Sequence, residues 1–223
     1  MFDAIAPRYD LLSRVLSAGL DQKWRQRAVT EARLGPAHRL LDLCTGTADL
    51  GIAAARRHPD ASVIAIDFSG AMLRIGLAKV RGAGLEGRLR LVRGDATMIP
   101  LVWGTCDAAT IGFGIRNVAD PALALAELAR VLKPAGRLAI LEFGQPKIPG
   151  IRTLYSWYFR YLLPAVGKLV SHHQSAYSYL PASVGTFPPP AAFVKTIESH
   201  GFVNVRAVPL TFGIVYLYVA KRG

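Results

Sequence analysis

LLDLCTGTADLG, residues 40–51, is an apolar run that ends in a turn of small residues and passes directly into a helical pattern. A strand, a tight turn and a helix in immediate succession form the first unit of a parallel α/β sheet. Small residues at Gly46 and Ala48 let the backbone approach a ligand, and amides at the start of the following helix can point at negative groups. The turn lacks the G-x-G-x-x-G spacing of a dinucleotide site, so a nicotinamide dinucleotide is not its best reading.

Outward from this unit, short apolar runs alternate with helical stretches: RLLDLC (39–44), VIAIDF (63–68), LRLVRGDA (89–96), DAATIGFG (107–114) and RLAILEF (137–143). Their apolar residues run continuously, as strands covered by helices on both faces require. Helices are predicted at 48–57, 69–82 and 120–132, with Ser69 and Asp120 as N-caps and Pro121 at the first helical position. LKPAGR (132–137) reads as a stop and turn before the fifth strand. VNVRAV (203–208) and IVYLYVAKR (214–222) are separated by too few residues for a crossover helix and predict an antiparallel pair. The expectation is a single α/β domain over 1–223, Rossmann-like, with a seven-stranded, mostly parallel sheet and an antiparallel final strand. Within it, 1–34 reads as an N-terminal helical lid, with Leu11, Leu12, Val15, Leu16 and Leu20 at helical spacing, or as helix packed on the core. Residues 35–145 form the cofactor core, 146–190 a helical acceptor insertion, and 191–223 a helix and strand pair.

Two further marks fall at strand ends. Asp67 closes VIAID, 21 residues after Gly46, where a carboxylate could accept hydrogen bonds from both hydroxyls of a ribose. Asp95 in GDA (94–96) could meet an adenine amino group, with the Ala96 amide available to a ring nitrogen. Each aspartate alone is more often a cap or turn residue. Their recurrence at successive strand ends points to a ligand, because open α/β sheets bind ligands at the carboxyl edge of their strands.

The chain has 223 residues, 52% hydrophobic, with 27 Lys and Arg against 15 Asp and Glu, a net charge of +12. Such a surface attracts anions, whether nucleic acid, membrane or acidic partner. Cys44 and Cys106 lack metal or disulfide spacing and read as free thiols; no metal is expected. Neither a signal peptide nor an apolar run of spanning length is seen, which predicts a cytoplasmic protein. Residues 150–187 are apolar, basic and aromatic at once, with Tyr155, Trp157, Tyr158, Phe159, Tyr161, Tyr177 and Tyr179 interleaved with Arg152, Arg160 and Lys168. This pattern predicts a substrate module, with helix aromatics that are either buried or ligand-facing.

FDAIAPRYDLLS (2–13), DLCTGTAD (42–49), IDFSGAML (66–73), TIGFGIRNVAD (110–120), LKPAGRLAILEF (132–143) and the YSYLPASVGTFP region (177–188) together span nearly the whole chain. With them the sequence resembles the class I S-adenosylmethionine methyltransferases and, more narrowly, the UbiE/COQ5 family that methylates quinols in ubiquinone and menaquinone synthesis. The pattern departs at Ala48, where many members carry Gly, and at Ser13, where many carry Asn. The resemblance implies S-adenosylmethionine as cofactor, held by Thr47, Asp67, Asp95 and Ala96. Gly46, Phe68, Met72 and Gly112 complete the expected set, and Asp42 could receive the ammonium of the methionine portion through its carboxylate or a water.

The implied acceptor is a polyprenylated quinol, demethylmenaquinol before a 2-methoxy-6-polyprenyl-benzoquinol. Arg116 and Asn117 follow the fourth strand, where the acceptor should meet the methyl group. A guanidinium is a poor base, so Arg116 is expected to stabilise a phenolate, unless it is taken by a carboxylate such as Glu142. Tyr9 and Tyr177, with Tyr179, are candidates for the quinol hydroxyls, whereas His172 and His173 read as solvated helix-end residues. Positive charge and the aromatic segment predict peripheral docking on an anionic membrane, at the inner face of the plasma membrane. A homodimer is compatible with the sequence. Against a nucleic-acid methyltransferase stand the dispersed basic residues and the lack of an NPPY-type motif; against a noncatalytic partner in a quinone-synthesis complex stands the intact FGIRN.

Overall fold

The computed structural model describes residues 6, 10, 11, 13–146, 148–157 and 183–223, with the backbone alone at 152 and 154–156. Helix α1 (Leu20–Ala32) precedes β1 (Arg39–Leu43), α2 (Asp49–Arg57), β2 (Ser62–Asp67), α3 (Gly70–Gly82), β3 (Leu89–Arg93), β4 (Cys106–Gly112), α4 (Pro121–Val131) and β5 (Leu132–Phe143). After α5 (Pro149–Trp157) come α6 (Pro190–Glu198), β6 (Phe202–Leu210) and β7 (Val215–Arg222).

The seven strands lie in the order β3-β2-β1-β4-β5-β7-β6. All neighbours are parallel until β7, which runs antiparallel to both β5 and β6. From β1 the chain first builds outward to β3 and then returns to lay β4 on the other side. The switch opens a crevice between the carboxyl ends of β1 and β4, the place where doubly wound sheets bind ligands.

Continuous apolar runs make sense in a sheet covered on both faces. Leu40, Val63, Ala65, Ala108 and Leu217 pack with Trp24, Ala28 and Val29 of α1 and with α2 on one face. Leu41, Ile66, Ala109, Ile140 and Tyr218 pack with Leu125 and Leu128 of α4 and Phe193 and Ile197 of α6 on the other. The predicted caps form: Ser69 Oγ accepts from the Met72 amide, and an Asp120 carboxylate oxygen from the Leu123 amide, with Pro121 at the first position of α4.

Three details differ from expectation. The LKPAGR turn is absorbed into β5, which pairs Cys106 with Leu132 and then Ala108 with Arg137, so the bend survives as a bulge, with Ala135 left-handed at φ 61°. In the N-terminal segment, Leu11 and Val15 are exposed, whereas Leu20 packs on the core beside Trp24, Ala28, Val29 and Ala32; Leu12 lies outside the described residues. Trp157, at the end of α5, is exposed too, which removes the buried-helix alternative for that residue. Among the described residues no helix is long and apolar enough to cross a membrane.

Candidate active site

β1 ends in a run of unusual backbone: Cys44, Gly46 and Ala48 all have positive φ. Around Gly46 nothing lies within 4 Å of where a Cβ would be, so the turn is open there. Ala48 is fully buried and left-handed at φ 66°, the conformation glycine adopts without strain. Beneath the turn, Asp42 is fully buried. One of its oxygens accepts from Thr110 Oγ1 at 2.9 Å, and the other from the Gly51 amide at 3.0 Å and from Thr45 Oγ1. Burial pushes its carboxyl up to about 6 despite these donors. No face of this carboxylate reaches the surface, and its bonds tie β1, β4 and α2 together.

Asp67 stands across from the turn. Its Oδ2 accepts from the Gly46 amide at 2.7 Å and its Oδ1 from the Ser69 amide at 2.8 Å, so it holds both strand ends while remaining partly accessible. Phe68 beside it is 71% exposed, with Arg93 over one face of its ring at 5.9 Å. Met72 is buried under the same loop, and Gly112 at the end of β4 faces Leu50, whose Cδ2 is 3.3 Å from a Cβ built there.

Asp95 is exposed and accepts from the amide and hydroxyl of Thr97, both at 2.8 Å, which together hold its carboxyl below the usual range. Ala96 is buried beside it. A clamp that sequence reading missed fixes the loop beyond: Arg130 donates to Glu127 and to the carbonyls of Ile99 and Leu101, while Glu127 accepts from the Ile99 amide at 2.7 Å. Its only sequence signal is the i, i+3 spacing of two opposite charges on α4.

The Cys44 thiol is pushed far up, first by burial and then by the carboxylates of Asp67, Asp42, Glu142 and Asp95. Asp67 and Asp95 stand at successive strand ends of the crevice, and Asp42 and Glu142 are buried. Open space at Gly46, carboxylates at successive strand ends and an exposed aromatic face suit a cationic, ribose-bearing nucleoside such as S-adenosylmethionine.

Across the crevice, Arg116 lies in a one-turn 3-10 helix (Ile115–Asn117). Its Nη1 donates to Glu142 at 2.6 Å and to the Phe113 carbonyl at 2.7 Å, its Nε lies 3.3 Å from Ser183 Oγ, and its guanidinium covers the Phe143 ring at 5.3 Å. The alternative partner Glu142 is therefore real, and it is fully buried. Nη2 makes no hydrogen bond among the described residues. Asn117 Nδ2 reaches the same Phe113 carbonyl at 3.3 Å. Phe113 continues an aromatic stack to Phe143 (4.7 Å) and Trp24 (6.1 Å), which the sequence did not single out. Thr47 is buried, and its hydroxyl donates to Asp10 rather than toward the open crevice. Tyr9, Tyr177, Tyr179, Arg160, Lys168, His172 and His173 lie outside the described residues.

The strand order, the switch-point crevice and its carboxylates define an S-adenosylmethionine-dependent methyltransferase of the class I fold. A methyltransferase from Aquifex aeolicus shares this fold at 20% identity, with a TM-score of 0.63 over 89% of each chain. The chain belongs to the ubiE/COQ5 methyltransferase family, whose family model matches residues 1–222. It is 49% identical over 222 residues to the ubiquinone/menaquinone biosynthesis C-methyltransferase UbiE of Syntrophotalea carbinolica, covering 100% of this chain and 92% of the relative. It is 46% identical to the demethylmenaquinone methyltransferase of Thermus thermophilus, with 100% of both chains covered.

Proposed function

We propose that the protein transfers a methyl group from S-adenosylmethionine to a ring carbon of a polyprenylated quinol, with demethylmenaquinol as acceptor. The observation that carries this reading is Arg116: a guanidinium in the turn after β4, held by Glu142, Phe113 and Ser183, whose Nη2 makes no hydrogen bond among the described residues. The relative of matching length named demethylmenaquinone methyltransferase supports the choice of acceptor.

When bound, S-adenosylmethionine supplies an electrophilic methyl on a positively charged sulfur. The residues have the remaining tasks. Asp67, partly accessible at the end of β2, is assigned to the ribose hydroxyls. Asp95 and the Ala96 amide are assigned to the adenine, with Phe68 and Met72 lining it and Gly46 and Gly112 giving close approach. Asp42 contributes from below by charge and by fixing the turn, and Thr47 by its place between Gly46 and Ala48. A quinol carbon becomes nucleophilic when the neighbouring hydroxyl loses its proton; it takes the methyl as the methyl–sulfur bond breaks to leave a neutral thioether, and the proton the methylated carbon still carries then leaves to restore the aromatic ring. Arg116 Nη2 stabilises that phenolate, and Asn117 orients the oxygen or a water that takes the proton. Tyr9 and Tyr177 are assigned to quinol hydroxyls on the family resemblance alone.

We also propose that the carboxyl edge docks on an anionic membrane surface on the cytoplasmic side. Phe212, which precedes β7, Ile148, which follows β5, and Trp157 at the end of α5 are exposed, and the net charge is +12. Transfer of labelled methyl to chemically reduced demethylmenaquinol and, separately, to a 2-methoxy-6-polyprenyl-benzoquinol tests the reaction. Label in the naphthoquinol alone supports the proposal; label in neither, with the nucleoside bound, overturns it. Activity on a long-tailed quinol that is indifferent to anionic liposomes would remove the docking idea.

A further inference from the structure

A continuous run of charged contacts lies under the loop that carries Gly46, Thr47 and Ala48. Lys79 of α3 donates to Asp10 at 2.7 Å, to Thr47 Oγ1 at 3.0 Å and to Asp49 at the start of α2. The Thr47 hydroxyl gives its own proton to the other oxygen of Asp10. From Asp49 the run continues to Arg25 at 3.7 Å, on to Asp21, and ends at Ser17, which donates to Asp21 at 2.8 Å. No side chain among these five charges is more than 27% exposed, so water screens them less than an ordinary surface pair.

The three protons of one ammonium thus serve three segments far apart in sequence: the N-terminal segment at Asp10, the loop at Thr47 and helix α2 at Asp49. The Lys79–Asp49 pair by itself ties the start of α2 to α3. Asp10 adds nothing to that tie, yet it takes bonds from both Lys79 and Thr47. Asp10 thus shares its two oxygens between Lys79 and the hydroxyl of Thr47, the residue between the left-handed Gly46 and Ala48.

We propose that Lys79 is a positioning residue which, through Asp10 and Thr47, couples the seating of the N-terminal segment to the geometry of the nucleoside loop. The inference rests on the reading of that loop as the S-adenosylmethionine site. Coupling of this kind is reciprocal: if the seated segment tightens the loop around the nucleoside, the nucleoside stabilises the seated segment by the same factor.

S-adenosylhomocysteine is the probe, with its affinity measured by calorimetry and the seating of the segment by the rate of tryptic cleavage after the exposed Arg14. In the unaltered protein the probe should slow cleavage. In Asp10→Asn and in Lys79→Met it should bind about tenfold more weakly, the loss expected for one charge-assisted hydrogen bond. In both variants it should no longer protect Arg14, and the double variant should be no weaker than either single one. Lys79→Arg should recover part of the protection. Equal protection in all proteins, unchanged affinity or additive losses would overturn the inference while leaving the nucleoside site standing. An unaltered protein that fails to bind the probe would overturn both. If Lys79→Met does not fold, Asp10→Asn, which keeps the side-chain volume, decides between the same outcomes.

Discussion

Gly114 lies directly against Cys44: a Cβ at position 114 would overlap the Cβ of Cys44 and stand 3.3 Å from its Sγ. The contact joins the turn after β1 to the turn after β4, the two lips of the crevice. Cys44 is itself left-handed at φ 55°, so neither side can swing away freely. Gly114→Ala is expected to cost about 1–3 kcal/mol by overpacking, read by urea unfolding, and to shift the Ile115–Asn117 turn so that methyl transfer falls more than nucleoside affinity. Cys44→Gly removes the opposing Cβ at a φ that glycine accepts, and should restore the double variant. Additive losses instead would show that the two positions do not press on each other.

Asp42 gives a pH dependence of one sign. Its carboxyl is raised from 3.8 to about 6 in the fold, so the folded protein takes up this proton before the unfolded chain does. This group therefore adds stability as the pH falls from about 6 toward 3.8, and weighs against the fold above that window. Asp42→Asn can keep every bond: its carbonyl oxygen faces Thr45 and Gly51, and its amide donates to a Thr110 hydroxyl that turns to accept. The variant should lose the rise between pH 7 and pH 4 in denaturant midpoint and be no less stable at pH 7.

Glu127 has the opposite sign. The hydrogen bond from Arg130 is the largest cause holding its carboxyl below the usual range. Its contribution is present above the ordinary carboxylate range and disappears as the pH falls through the lowered value. Arg130→Ala should cost about 1.5–3 kcal/mol, flatten this acid loss and weaken the nucleoside through Asp95 and Ala96. Full retention of affinity by calorimetry would show that the clamp does not hold the adenine loop.

Arg116→Lys keeps the charge but cannot hold Glu142, Phe113 and Ser183 while leaving a planar donor free. It is expected to lower kcat by roughly 10²–10³ with KM for S-adenosylmethionine little changed. Glu142→Ala, which strands a buried guanidinium, should destabilise the protein by about 3–5 kcal/mol. A large rise in KM for the nucleoside in Arg116→Lys, with kcat retained, would move Arg116 out of the reacting part of the site.

The sheet was legible because its strands are written as uninterrupted apolar runs with explicit caps, such as Ser69 and Asp120. Asp67 and Asp95 could be placed at the carboxyl edge by counting from strand ends. Asp42 could not be judged the same way: its burial comes from Thr110 and Gly51, which approach only once β4 and α2 are in place. The same holds for the Lys79 cluster, whose members lie 30 to 69 residues from Lys79. Long-range ionic contacts have no period to read. At 132–137 a turn composition was present, but pairing with β4 on both sides drew it into a bulged strand.

β7 follows the other six strands in the sequence, yet it occupies an interior place between β5 and β6. On a ribosome, β5 would wait with one row of backbone amides and carbonyls unpaired, and β6 would emerge with nothing beside it, until residues 215–222 cleared the exit. A nascent chain halted before that point would expose two sticky edges at once. Closure of the sheet is thus a single late event, and a chain cut short before β7 should yield an aggregating product rather than a shortened enzyme.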